Sequence, residues 1–212
     1  MAVTVTEDRE PVVADGEASP FRRRLLDGLA ASISERGYRE STVADIVRHA
    51  KTSKRTFYDQ FSSKEECFME LLWRGNQDMI AKIRAAVDPE ADWRQQIRQA
   101  VDAWVGDIEA RPAITLSWIR ELPALGHHLR EMQRRGMAGI TAMFVDLSTN
   151  PGFRRAGIAP ISPQMAVLLF GGLRELSALA VEDGTDVRDI VDTAVAGSIA
   201  ILGAGSAQHQ AG

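Results

Sequence analysis

Apolar residues recur at helical spacing along nearly the whole chain, in segments that stop at proline or glycine. Short apolar–polar alternation bounded by turn residues is missing. This periodicity predicts an all-α fold of about nine helices. Ser19-Pro20 offers an N-cap followed by proline at the first helical position. Phe21, Leu25, Leu26, Leu29, Ala30 and Ile33 then mark one face of a helix over 20–36, and Gly37 stands where a left-handed C′ residue is wanted. Thr42, with Asp45 as capping partner, opens a short second helix burying Val43, Ile46, Val47 and Ala50. After the tight turn Lys51-Thr52, Ser53 caps a third helix running to about Asp59, with Phe57 and Phe61 facing inward. Ser63 with Glu66 begins a long fourth helix through Val87, stopped by Asp88-Pro89. Later helices are expected over 92–108, 113–119, 123–147, 163–181 and 187–202, with breaks at Pro112, Pro123, Pro151-Gly152 and Gly184.

Charge is unevenly spread. The chain of 212 residues has a net charge of −4. Residues 20–64 nevertheless hold ten Lys/Arg against five Asp/Glu, while 1–19 and 65–212 are both acidic. A basic block within an acidic chain is the footprint of a phosphate-binding module. The single cysteine, Cys67, excludes an internal disulfide and gives no metal spacing, which fits a reducing, cytoplasmic setting. With no apolar signal core and no run of membrane-spanning length, the chain is expected to be soluble and to need no membrane.

Helix, helix, turn, helix, with basic and hydroxyl groups gathered on the last, describes a helix-turn-helix. Lys54 and Arg55 on the third helix can reach phosphates or guanine edges. Ser53 and Thr56 can bond phosphate oxygens, and Tyr58 offers its phenol to the backbone. Thr42 and Lys64 flank the groove at two helix N-termini, where amides already favour phosphate. Phe57, Phe61, Ile46 and Val47 read as core. Arg22, Arg23 and Arg24 read equally as backbone or minor-groove contacts and as a solvated helix start.

The stretch Thr42 to Ala50, then Ser53-Lys54-Arg55-Thr56-Phe57-Tyr58, then Phe61-Ser62-Ser63-Lys64-Glu65-Glu66, preceded by Gly37-Tyr38, resembles the signature of the TetR (tetracycline-repressor-like) family. The resemblance is close over roughly residues 20–70 and beyond them is only one of helix lengths. It implies a bacterial homodimer that binds double-stranded DNA at a palindromic operator, with an all-α effector domain. Two positions depart from the pattern. Lys51 stands where the inter-helix turn usually has glycine; a left-handed lysine costs about 1 kcal/mol, so the turn differs slightly or Lys51 touches phosphate, and Thr52 beside it is also counted among the DNA contacts. Arg55 stands where a small residue is common, enlarging the reading surface.

The organisation expected is a disordered arm over 1–18, a DNA-binding domain over 19–65, an effector-binding and dimerisation domain over 66–203, and a disordered tail over 204–212. The resemblance places an effector among the middle helices, so Trp104, Trp118, Met143 and Phe144 are candidate pocket walls, with Arg120 to orient a small apolar or amphipathic ligand. Plain core, and a surface ion pair for Arg120, are the competing readings. Broad apolar stripes through Val167, Phe170, Leu173 and Leu176, and through Ile190, Ala194 and Ile201, suggest a four-helix dimer interface, against burial within one chain. His127-His128 point about 100° apart on a helix and lack partners, so no metal, cofactor or catalytic base is expected. The function expected is a nucleoid-associated repressor released by a small molecule. The alternative is an effector-independent helix-turn-helix dimer, and an enzyme on this scaffold is the weakest reading.

Overall fold

A computed structural model describes residues 19–121 and 127–209, apart from the side chains of 127–130 and 204–209. The arm expected over 1–18 lies outside the described residues, as do the side chains of His127 and His128. Ten α-helices occur among the described residues, one more than the periodicity predicts, with no strand.

Helix α1 (Pro20–Glu40) is capped by Ser19, whose hydroxyl accepts from the Arg22 amide. It breaks at Gly37, where φ of 79° and ψ of 165° leave the helical region. A last turn follows and ends at Ser41, whose hydroxyl donates to the Gly37 carbonyl at 2.8 Å. The capping box of α2 (Val43–His49) is complete: Thr42 and Asp45 each satisfy the other's backbone amide. Lys51 then adopts φ of 49°, the only non-glycine residue with positive φ among those described, so the turn keeps the left-handed conformation and the lysine carries its strain. Ser53 caps α3 (Lys54–Gln60) and Ser63 caps α4 (Lys64–Ala86). The Glu66 carboxylate turns to the amide and hydroxyl of Ser62, both at 2.6 Å, instead of closing a box on Ser63.

The larger body comprises α5 (Trp93–Ala110), α6 (Pro112–Leu116), a wide π-type turn (Ser117–Glu121), α7 (His127–Leu147), α8 (Pro151–Arg155), α9 (Pro163–Asp183), a 3-10 turn (Val187–Ile190) and α10 (Val191–His209). Pro151, read as a break, instead starts α8, because proline is tolerated in a first turn that has no intrahelical N–H bond to make. Likewise α10 continues to His209, through residues expected to form a frayed tail.

Two apolar cores organise the chain. The N-terminal one joins Leu25, Leu29, Ile33, Tyr38, Ile46, Phe57 and Phe61 to Cys67, Phe68 and Leu72 of α4 and to Ile114 of α6. Phe68 stacks on Tyr38 with ring centroids 3.9 Å apart. Each fully buried side chain of this size contributes about 1.5–3 kcal/mol. The second core fills the space between α4, α5, α7, α9 and α10 around Trp104, and Trp118 packs against both. Gly28 sets the α1–α2 spacing, since a Cβ there would lie 2.6 Å from the Ile46 carbonyl oxygen.

Candidate nucleic-acid interface

The turn Lys51–Ser53 and helix α3 present an exposed surface. Lys51, Ser53, Lys54, Arg55 and Tyr58 are exposed, and Thr52 and Thr56 half-buried, while Phe57 beneath them is fully buried and anchors the helix. Ion pairing divides the cations. Arg22 is held by Glu70 and the Gln60 carbonyl and lies over the Phe61 ring at 4.1 Å. Arg36 and Arg48 face Glu35 and Asp45. The side chains of Lys51, Lys54 and Arg55 have no acidic or hydrogen-bonding partner among the described residues, the Lys51 backbone amide alone being bonded, to the Arg48 carbonyl. Their full donor capacity, with the phenol of Tyr58 and the hydroxyl of Thr52, faces outward.

Two residues expected on this surface are otherwise engaged. The Thr42 hydroxyl donates to Asp45 at 2.6 Å, a bond that holds the Asp45 carboxyl below the usual carboxylate range. That donor is spent on the cap. The Lys64 ammonium donates to the carbonyls of Tyr38, Arg39 and Ser41 and lies 4.3 Å from the Tyr38 ring centroid. All three of its N–H groups therefore tie the end of α1 to the start of α4 instead of facing a phosphate. Ser53 and Thr56 share one hydroxyl–hydroxyl bond of 3.0 Å, which leaves one of their two protons free. Of the flanking arginines, Arg22 is locked internally and Arg24 lies over Phe21 at 4.7 Å.

In the body, an apolar cavity of about 70 Å³ is walled by Ile83, Val87, Val101, Trp104, Phe144 and Leu173, among others, with Ser198 as its free hydroxyl. Phe144 and Trp104 line this cavity, and Trp118 lines a smaller neighbour with Trp104. Met143 does not: it is fully buried in packed core. Nor does Arg120, which is clamped between Glu182 and Glu175 of α9 at 2.7 Å each; those two hydrogen bonds raise its pKa further. The lining residues Ile83, Val87 and Leu169 escaped the sequence reading because nothing separates them from ordinary core. Asn76 could have been found, since it interrupts the apolar face Leu72, Met79, Ile83 of α4.

The α9–α10 stripes divide by face. Phe170, Leu173 and Ala194 are buried in the chain's own core, the competing reading of these stripes. Leu176, Ile190 and Ile201 are half-buried against that core. Val167 remains exposed, and beside it Leu168 is 59% and Leu179 46% exposed. Helix α9 is also long and apolar enough to cross a membrane by length and composition, contrary to expectation, although its inner face packs on the core.

A helix-turn-helix module, its third helix armed with unpaired cations, mounted on a larger helical body with an apolar cavity, defines the class: a DNA-binding regulator fold. Residues 25–71 match the model of the bacterial regulatory proteins of the tetR family. This match covers the helix-turn-helix module and the first part of α4. It is 33% identical over 88 residues to the HTH-type transcriptional activator FasR of Mycolicibacterium smegmatis, covering 42% of this chain and 40% of FasR. Over 78 residues it is 41% identical to the transcriptional repressor KstR2 of Mycobacterium tuberculosis, covering 36% of this chain and 38% of KstR2. The matched stretch spans about two-fifths of these relatives' length. The fatty acid degradation regulator FadR from Bacillus halodurans shares the fold with a TM-score of 0.75 at 18% identity, over 88% of this chain and 97% of FadR. FadR from Bacillus subtilis, solved in complex with stearoyl-CoA, has a TM-score of 0.71 at 16% identity, over 85% and 97%. At these identities the likeness is one of fold.

Proposed function

We propose that this protein is a dimeric, cytoplasmic transcriptional repressor that reads a palindromic operator and is released from it by a ligand with an apolar body. The observation that carries the reading is the set of unpaired cations Lys51, Lys54 and Arg55 on the exposed surface of the turn and α3, in a chain where most other arginines are paired. With α3 in the major groove, Arg55 and Lys54 reach base edges or phosphates, while Lys51, Tyr58 and Thr52 bond the backbone.

The effector occupies the apolar cavity. Its wall carries no charged side chain, so a hydrocarbon segment suits it and an ionised head group must lie outside. The acyl-CoA bound by the similarly folded B. subtilis FadR supports this class of ligand. Helix α4 links cavity and DNA module: Ile83 and Val87 line the cavity, while Phe68 and Leu72 belong to the N-terminal core. A ligand that enlarges the cavity tilts α4, alters the spacing of the two recognition helices and binds that state preferentially. By reciprocity, operator weakens the effector. Dimerisation uses the outward face of α9, where Val167, Leu168 and Leu179 accompany Gly171 and Gly172, and that of α10 at Gly197, positions with open space beyond them.

The test is selection from randomised duplex DNA, followed by titration of the best site at two salt concentrations. An enriched palindrome with half-sites about one helical turn apart, lost on joint truncation of Lys54 and Arg55, supports the reading. Absence of enrichment, or affinity unchanged by both truncations, refutes it. Operator release by long-chain acyl compounds, and stabilisation of the protein by them, test the effector separately.

A further inference from the structure

The start of α1 is fastened to the end of α3. The Ser19 hydroxyl donates to Gln60 Oε1 at 3.0 Å, and Arg22 donates to the Gln60 carbonyl. Residues 1–18 therefore join the described structure beside the C-terminal end of the reading helix. They are acidic: Glu7, Asp8, Glu10, Asp15 and Glu17 stand against Arg9 alone. The surface they adjoin is the reverse. Residues 51–58 hold Lys51, Lys54 and Arg55 and no acid, and all three side chains are exposed and unpaired among the described residues. Arg23, one turn into α1, adds a fourth such cation: its amide is bonded to the Ser19 carbonyl at 3.1 Å, while its side chain is exposed without a partner among the described residues. Chain length permits the two charges to meet. An extended chain spans at most about 3.3–3.6 Å per residue, which sets the reach from Ser19 at about 14 Å for Asp15 and about 30 Å for Glu10. Helix α3, with seven residues, is only about 10 Å long. Glu7, Asp8 and Glu10 thus reach either end of it, and Asp15 its nearer part. Exposed ion pairs are individually weak. A tethered segment has a local concentration on the order of millimolar, however, so several weak pairs formed together can hold it.

We infer that the acidic segment 1–18 docks on the turn and α3 when no DNA is bound, its carboxylates standing where phosphates would stand. The inference rests on the reading of this surface as the one that meets DNA, and its first test makes no use of DNA. Any duplex must displace the segment, so apparent affinity falls by the fraction of the surface left free. Operator and random DNA lose by the same factor, because the segment must leave before either is bound. Discrimination between them is unchanged, while retention on random DNA drops.

A carbodiimide joins carboxylates to amines in contact with them, and the chain has four lysines. Lys64 and Lys82 serve as controls, since they are engaged on the carbonyls that end α1 and on Asp107. In the full chain without DNA, peptide mapping by mass spectrometry is expected to find Lys51 or Lys54 joined to carboxylates of residues 1–18, with the excess over Lys64 and Lys82 lost at high salt. Absence of these links, or links spread evenly over the four lysines, overturns the docking. In the second test Glu7→Gln, Asp8→Asn, Glu10→Gln, Asp15→Asn and Glu17→Gln are combined. At about 50 mM salt this variant is expected to bind the selected operator and a random duplex about tenfold more tightly than wild type, equally for both, and the gain shrinks to about twofold or less at about 300 mM. Unchanged affinity overturns the inference, as does a gain confined to one duplex. A gain without crosslinks overturns it too, being repulsion at a distance. Crosslinks in a protein that binds no duplex support the docking and sink the reading of the surface as DNA-binding.

Discussion

Replacing Lys51 by glycine separates two roles that meet in one residue. Its φ of 49° places a side chain in the left-handed region at a cost of about 1–2 kcal/mol, which glycine does not incur. Glycine gives back about 0.5–1 kcal/mol through the greater freedom of the unfolded chain. Lys51→Gly should therefore stabilise the protein by about 0.5–1 kcal/mol, read from urea unfolding. Lys51→Ala keeps the strain and should not stabilise it. For DNA the order differs, because both variants remove the same unpaired cation. Each phosphate contact contributes about 0.9 to the slope of log affinity against log salt, and a dimer loses two. The slope should fall by about 1.8, so the affinity lost between 50 and 200 mM salt shrinks by about tenfold in either variant. Equal stabilities for the glycine and alanine variants would refute the strain argument. An unchanged salt slope would refute the phosphate contact.

Three further outcomes follow from packing and charge. Gly28→Ala drives a methyl group to 2.6 Å from the Ile46 carbonyl, so α2 must shift; a loss of about 1–3 kcal/mol in urea unfolding, together with weakened operator binding, is expected. Burial pushes the Cys67 thiol and the Tyr38 hydroxyl above their ordinary values of 9.0 and 10.0. Both groups ionise first in the unfolded chain, so their contribution is intact below about pH 9 and is lost as pH rises beyond it. Tyr38→Phe, which removes a buried hydroxyl without a partner, should reduce that alkaline loss in a pH series of urea midpoints and leave stability at pH 7 equal or higher. Leu168→Glu places a charge on an exposed face and should leave the folding stability of the chain, read from urea unfolding, within about 0.5 kcal/mol of wild type while abolishing the dimer in sedimentation.

What could be read from the sequence was chiefly local. Ser19, Thr42, Ser53 and Ser63 cap the helices they were expected to cap, because a cap needs only its own next three residues. The left-handed position at Lys51 was visible only through the resemblance, which has glycine there. Lys64 was not: its partners are carbonyls at 38, 39 and 41, gathered only after the bend at Gly37. The faces of α9 were hidden because both are apolar, so periodicity gave no reason to bury Phe170 and expose Leu168. Arg120 found its carboxylates 55 and 62 residues away, a distance no local pattern spans.

The N-terminal core does not end with the three helices that read DNA. It is closed by Cys67, Phe68 and Leu72 from α4 and by Ile114 from α6. A reading head cut at residue 65 and grafted onto another body would carry an open apolar flank with it. Exchange of DNA specificity between proteins of this architecture therefore has two workable units. One is the solvent-facing residues of 51–58, replaced in place. The other is a graft that runs through Leu72 and recreates the surface of α6, so that the new body is shaped to the head it receives.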